Sequence, residues 1–172
     1  MEHSMYTTTP GLLGPLWICA TAVGVCGLGF GEQPGDAEIR RMARYDISSP
    51  EPGSSYVLAA AVTQLADYFD RHLTMFDVPL DLRGTDFQRA VWEELLTIPY
   101  GKTLTYGEVA MEIEHPRAFQ AVGQANGANP VAIIVPCHRV VGRNGKLTGY
   151  AAGVDRKAAL LQLEQAGLQL RL

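Results

Sequence analysis

Val135-Pro136-Cys137-His138-Arg139-Val140 sets a thiol and an imidazole side by side within an apolar run. Ile133, Ile134 and Val135 lead into the cysteine, and in such surroundings a thiol behaves as a small, inert hydrophobe. A neighbouring histidine and arginine act the other way, because positive charge favours the thiolate, the form that attacks electrophiles. Adjacent residues of an extended strand point to opposite faces, so adjacency alone implies no bond between the two side chains. The spacing supports a reactive thiol and a core cysteine beside a surface histidine equally well.

Two further groups could take part in chemistry. Glu164 carries a charge next to Leu160 and Leu161 in a helix read from Val154 to Gln165, with Gly167 as its stop. It is either a solvated carboxylate near a helix end or a group that orients a histidine. Cys19 and Cys26 complete an odd set of three cysteines, which argues against a disulfide framework and for a reduced, intracellular setting. The four histidines, His3, His72, His115 and His138, are scattered and form no metal-binding pattern; Cys19 and Cys26 read as core.

A chain of 172 residues with 47% hydrophobic content can bury a real core. The net charge of -4 is uneven: residues 1–83 hold five Lys/Arg against ten Asp/Glu, and residues 84–172 hold nine against eight. The second half lacks the basic stripe of a tight non-specific nucleic-acid binder, so any such contact there is modest and driven by shape. Gly11 to Phe30 has no charged residue, a length that raises the question of a membrane span or signal peptide. Five glycines, Pro15 and the absence of flanking Lys or Arg read instead as strands joined by turns.

The elements that must position these groups follow from periodicity and caps. Met5 to Phe30 reads as two or three antiparallel strands, Asp36 to Arg44 as a short helix and Ser48 to Ser55 as a loop. Tyr56 to His72 fits an amphipathic helix, and the alternation of Phe76, Val78, Leu80 and Leu82 predicts a further strand. After Arg83 short helices take over: Phe87 to Ile98 behind Thr85 or Asp86, Tyr106 to Ile113 behind Thr105 with Glu108 as capping-box partner, and Arg117 to Asn126 opened by Pro116. Val131 to Val135 reads as a buried strand or extended segment. The two helices flanking His115-Pro116 form a helix-turn-helix, a unit found both in DNA-binding proteins and in small α domains that touch no DNA. The small residues Ala121, Val122 and Gly123 permit either close approach to a narrow groove or packing against another helix.

Taken together, the chain resembles the O6-alkylguanine-DNA alkyltransferases, also called methylated-DNA-protein-cysteine methyltransferases. Pro136-Cys137-His138-Arg139-Val140 matches that family's active-site motif. Phe87 to Trp92, Ile98 to Gly101, Thr105 to Ala110, Ala121 to Gly123, Asn129-Pro130, Gly149-Tyr150 and Lys157 to Glu164 follow its order over residues 77–172. The resemblance implies an α+β chain: a ribonuclease-H-like N-terminal domain over residues 1–83, with a small antiparallel sheet and a helix, and a mostly helical alkyltransferase domain over 84–172 with a winged-helix-like helix-turn-helix. It implies minor-groove docking on double-stranded DNA, extrusion of an alkylated guanine, and irreversible single-turnover transfer of the alkyl group to Cys137, with O4-alkylthymine as a further substrate. Flipping follows from the chemistry, since a thiol fixed in a protein cannot reach an atom inside the base stack.

Carried over residue by residue, Cys137 is the nucleophile, His138 the base acting through a water, and Glu164 the acid that orients it. Asn129 is the turn residue that bonds the active-site backbone, and Tyr106 displaces a phosphate and assists departure of the guanine. Tyr150, Ala151, Val140 and Lys157 border the base pocket; Arg117, Gln120, Ala121, Gly123 and Tyr106 meet the DNA. No metal or cofactor is implied, no membrane, and the expectation is a monomer in the cytoplasm, associated with a prokaryotic nucleoid. Two departures stand out. Gln120 occupies the place of the family's stack-entering arginine, which predicts weaker docking, and Ala152 replaces the first of a glycine pair, which narrows the pocket. Two other readings compete: a lesion-binding module like the alkyltransferase-like proteins, which lack the cysteine retained here, and a Cys-His-Glu hydrolase, for which no oxyanion-hole signature is visible.

Overall fold

The computed structural model describes residues 2–169. The chain divides into two compact units, Met1–Arg83 and Gly84–Leu172.

In the first unit, β1 (Met5–Thr9) and β2 (Leu16–Ala20) pair antiparallel with Thr7 opposite Ile18, and β2 pairs antiparallel with β3 (Val25–Phe30). The uncharged run is thus a hairpin, and β2 is buried along its whole length. Gly27 and Gly29 are required there, because a Cβ at either would overlap the Trp17 ring that lies across β3. The helix α1 (Asp36–Arg44) places Asp36 and Glu38 in its first turn and Arg41 and Arg44 in its last, matching the helix dipole. Behind the cap of Ser55, whose hydroxyl accepts from the Leu58 amide at 3.2 Å, α2 (Tyr56–Phe69) buries Leu58, Ala61, Leu65 and Tyr68.

Two expectations for this unit are corrected. The stretch read as a loop contains β4 (Glu51–Pro52), which pairs parallel with β1, so the sheet has the order β3-β2-β1-β4 and is not purely antiparallel. Phe76 to Leu82 is not a strand; only Leu80 bridges to Val25. Pro79 offers no N–H to a ladder, and Asp81 turns to accept from Thr21 Oγ1 at 2.7 Å and from Arg83 at 2.8 and 2.9 Å. Cys19 and Cys26 lie in the core with Trp17, Met42 and Ile47. Burial pushes both thiols up, Cys26 to about 12, so they are inert.

In the second unit, α3 (Asp86–Thr97) starts from a capping box of Thr85 and Gln88 and buries Val91, Trp92 and Leu95. The strand β5 (Leu104–Thr105) runs straight into α4 (Tyr106–Glu112), whose capping box is Thr105 with Glu108. A turn with Glu114 at φ 60° leads to α5 (Phe119–Gly127). This helix begins two residues later than the sequence suggests, since the Ala118 amide bonds the His115 carbonyl and Pro116 stays in the turn. Trp92 Nε1 donates to the Ala125 carbonyl at 2.9 Å and ties α3 to α5. The strand β6 (Val140–Val141) pairs parallel with β5, and α6 (Val154–Gln169) closes the unit.

Gly167 does not stop α6. It is buried against Tyr100, where a side chain would overlap the phenol, so its smallness serves packing. Nor is Val131 to Val135 extended: it folds into a tight turn, with the Val135 amide on the Val131 carbonyl at 3.0 Å and Ile133 at φ 69°. Continuous hydrophobicity marked the segment as buried, which it is, but carries no information about whether a buried segment is straight or coiled.

Candidate active site

The turn that presents the thiol is held from inside by Asn129. Its Nδ2 donates to the Val135 carbonyl at 2.8 Å and the Val131 carbonyl at 3.4 Å, while its Oδ1 accepts from the Val131 amide at 3.0 Å. These bonds keep a β-branched residue, Ile133, in the left-handed region, a conformation that costs on the order of 1–3 kcal/mol and persists only where its surroundings over-determine it. Asn126 adds a bond from Nδ2 to the Cys137 carbonyl at 3.3 Å.

Cys137–Arg139 then form a single turn of 3₁₀ helix, not a strand, so the alternation expected of neighbouring side chains does not apply. All three side chains are buried. His138 Nε2 meets Glu164 Oε1 at 2.7 Å, Arg139 bonds the same carboxylate through Nε and Nη2 at 3.0 Å each, and the Gly101 amide donates to Glu164 Oε2 at 2.9 Å. Arg139 Nη1 donates to the Ile98 carbonyl at 2.6 Å. The left-handed Gly101, φ 71°, is what turns that amide toward α6.

The charges follow from this arrangement. Burial pushes the Glu164 carboxyl up, but His138 and Arg139 outweigh it and hold the group at about 2. Burial lowers the His138 pKa; Glu164 opposes this, while the positive charges of Arg139 and Lys157 reinforce it. A neutral imidazole beside an ionised carboxylate must donate from Nε2, which makes Nδ1 the basic nitrogen. That atom is buried without a hydrogen-bond partner among the described residues.

Burial also raises the Cys137 thiol, and the Asn129 amide, the Lys157 charge and the Tyr150 hydroxyl pull it back. The arginine of the motif, read from sequence as an activator of the thiol, is instead committed to Glu164; the cation that acts on the sulfur is Lys157. Lys157 is fully buried, donates from Nζ to the Thr148 carbonyl at 3.0 Å and stands 5.7 Å over the Tyr106 ring. The Tyr150 hydroxyl is buried close enough to Cys137 for each to shift the other's ionisation, without a hydrogen bond of regular geometry.

Tyr106, the first residue of α4, donates its hydroxyl to the Thr148 carbonyl at 3.1 Å. Gly123 lies beside its ring; a Cβ there would stand 3.9 Å from it. Gln120 and Ala121 are exposed on α5, and Arg117 is exposed in the turn before it. Val140 is buried in β6, and Ala151 is exposed in the loop that carries Tyr150. Cys137, His138, Glu164, Asn129, Tyr150, Lys157 and Tyr106 are thereby joined by bonds or by mutual electrostatic influence, and the residues named for DNA lie on or beside the helix-turn-helix.

The family model described as 6-O-methylguanine DNA methyltransferase, DNA binding domain, matches residues 86–166, and that for the ribonuclease-like domain of the same protein matches residues 4–82. The chain belongs to this family. A methylated-DNA–protein-cysteine methyltransferase of Mycobacterium tuberculosis is 61% identical over 118 residues, 69% of this chain and 70% of that protein. The Methanosarcina barkeri protein of the same name is 43% identical over 157 residues, 91% of this chain and 94% of that one. The crystal structure of Mycobacterium tuberculosis OGT in complex with DNA superposes with a TM-score of 0.80 at 50% identity, covering 96% of this chain and 94% of the other.

Two members of this alkyltransferase site, Asn126 and Gly101, were not singled out from the sequence, and Arg139 was assigned the wrong partner. Its true one was legible: a guanidinium inside an apolar run needs a buried anion, and Glu164 is an anion on an apolar helix face. Asn126 and Gly101 sit in ordinary turn and helix-end contexts and carried no such signal.

Proposed function

We propose that this chain repairs DNA by transferring an alkyl group from O6 of guanine to Sγ of Cys137, once per molecule. The thiolate sulfur attacks the alkyl carbon, the S–C bond forms as the C–O6 bond breaks, and the electron pair returns to the guanine, which leaves after protonation. His138 Nδ1, through a water, takes the thiol proton, and Glu164 accepts at Nε2 to fix the tautomer and stabilise the imidazolium that forms. Lys157 favours the thiolate, and the Tyr106 hydroxyl protonates the departing base. The helix-turn-helix of α4 and α5 docks in the minor groove, its small residues allowing close approach, and the lesion is turned out toward Cys137. O4-alkylthymine, which offers a comparable alkyl–oxygen bond, is a second substrate, and one thiol per lesion requires only a monomer, acting in the cytoplasm where the DNA is.

The observation that carries this reading is the buried His138–Glu164–Arg139 cluster set directly behind a buried cysteine in a chain of this family. The test is to incubate the protein with a duplex containing O6-methylguanine and weigh the intact protein. A gain of one methyl, absent in Cys137→Ser, is the expected result; an unmodified protein that binds the lesion, or one that turns over repeatedly, overturns it.

A further inference from the structure

We infer that Phe119 is the side chain that enters the base stack when the damaged guanine leaves it. The inference rests on the extrusion reading above and names a residue for it. Among the described residues of α5, Val122, Ala125 and Asn126 face the core, whereas Gln120, Ala121, Gln124 and Gly127 are exposed. Phe119 opens the helix with 52% of its surface in solvent, the large apolar side chain on an otherwise small and polar face. Half of the residue is therefore left in water, where the free protein's own packing makes no use of it.

Its direction follows from helix geometry. Residues four apart share a face, so Phe119 lies on the same edge as Gly123, about 6 Å along the axis. Gly123 is the point at which α5 meets the Tyr106 ring, and the Tyr106 hydroxyl reaches the carbonyls of Thr148 and Gly149 at 3.1 and 3.4 Å, within electrostatic reach of Cys137. The edge carrying Phe119 therefore runs beside the entrance through which an extruded base must pass. A displacement of about 6 Å is less than two base-pair steps of duplex DNA, roughly 3.4 Å each.

Extrusion leaves a gap walled by the apolar faces of two base pairs. An aromatic ring restores stacking on both walls, as apolar wedges do in other minor-groove complexes. Gln120, next along the chain, is equally exposed but offers an amide that prefers water to the interior of a stack. The small neighbours Ala118 and Ala121 leave Phe119 room to advance without a clash between the helix backbone and the groove floor.

The test compares methyl transfer from an O6-methylguanine duplex with transfer from the free O6-methylguanosine nucleoside, which has the same reacting bond and no stack. Phe119→Ala is expected to lower the duplex-to-nucleoside rate ratio by about tenfold, the scale of losing one base–aromatic stack. Phe119→Trp is expected to hold the ratio near the wild-type value, because a larger ring fills the same gap. An unchanged ratio in Phe119→Ala, or an equal loss on both substrates, overturns the inference while leaving the repair reading standing. A wild-type protein that takes no methyl from either substrate overturns the repair reading, and this one with it.

Discussion

Arg139 grips the Glu164 carboxylate with two nitrogens at 3.0 Å, and both groups are buried. This pair sets the protonation state of the site. A lone buried carboxylate against His138 would draw a proton onto the imidazole; with its charge already answered by a guanidinium, Glu164 can orient His138 and leave it neutral.

Removing the guanidinium tests this directly. Arg139→Met takes away a charge that depresses His138, so the imidazole pKa should rise. The base form exists above that pKa and is lost as pH falls through it. In the native protein the acid limb of the methyl-transfer rate should lie below the ordinary value of 6.5, and in Arg139→Met it should move to higher pH. A pH–rate profile in single turnover reads both.

Glu164 makes stability depend on acid. Its carboxyl, normally 4.5, is held at about 2 in the fold, so its contribution is full above about pH 4.5 and is lost as pH falls toward 2. The shift corresponds to roughly 3 kcal/mol. Glu164→Gln should flatten this part of the denaturation profile, and it should cost about 3–5 kcal/mol near neutrality because Arg139 is left buried without its anion.

Gly101 holds a left-handed conformation and gives its amide to Glu164. A Cβ there would also overlap the Leu168 side chain. Gly101→Ala should destabilise the protein by about 1–3 kcal/mol, read as a lower urea midpoint at unchanged slope.

Thr105 caps α4 through a reciprocal box with Glu108, and the next residue is Tyr106. Thr105→Ala should cost about 1 kcal/mol and loosen the hydroxyl's grip on the Thr148 carbonyl. Duplex methyl transfer should slow further than transfer to Cys137 from the nucleoside, which does not depend on docking by α4.

Gln120 is exposed on α5 and carries no charge. Gln120→Arg should tighten duplex binding and steepen the salt dependence by about one unit of log–log slope, the signature of one added phosphate contact. Equal affinities and slopes would exclude Gln120 from the DNA interface.

Caps and periodicity located α2, α3 and α4 because these signals are local: Ser55, Thr85 and Thr105 each bond an amide three residues on. The failures are equally physical. Phe76 to Leu82 alternates as a strand does, yet a strand needs a partner ladder, and here the pairing stops at one bridge, in which the Pro79 carbonyl and the Asp81 amide bond Val25 at 2.8 and 2.9 Å. Gly167 has the composition of a helix stop, but whether a glycine stops a helix or lets a neighbour approach depends on what stands opposite, here Tyr100.

The same division runs through the site. Residue type made Cys137, His138 and Glu164 candidates, because it dictates which atoms can attack, accept a proton or hold a charge; their roles came only with the resemblance of the whole motif order to the family. Charge type alone did not say which cation answers which anion, since Arg139 and Lys157 are equally positive in sequence. Burial, the 3₁₀ turn at Cys137 and the left-handed Gly101 send Arg139 to Glu164 and Lys157 toward the thiol. Coulomb energy depends on separation and on dielectric, and both are properties of the folded chain.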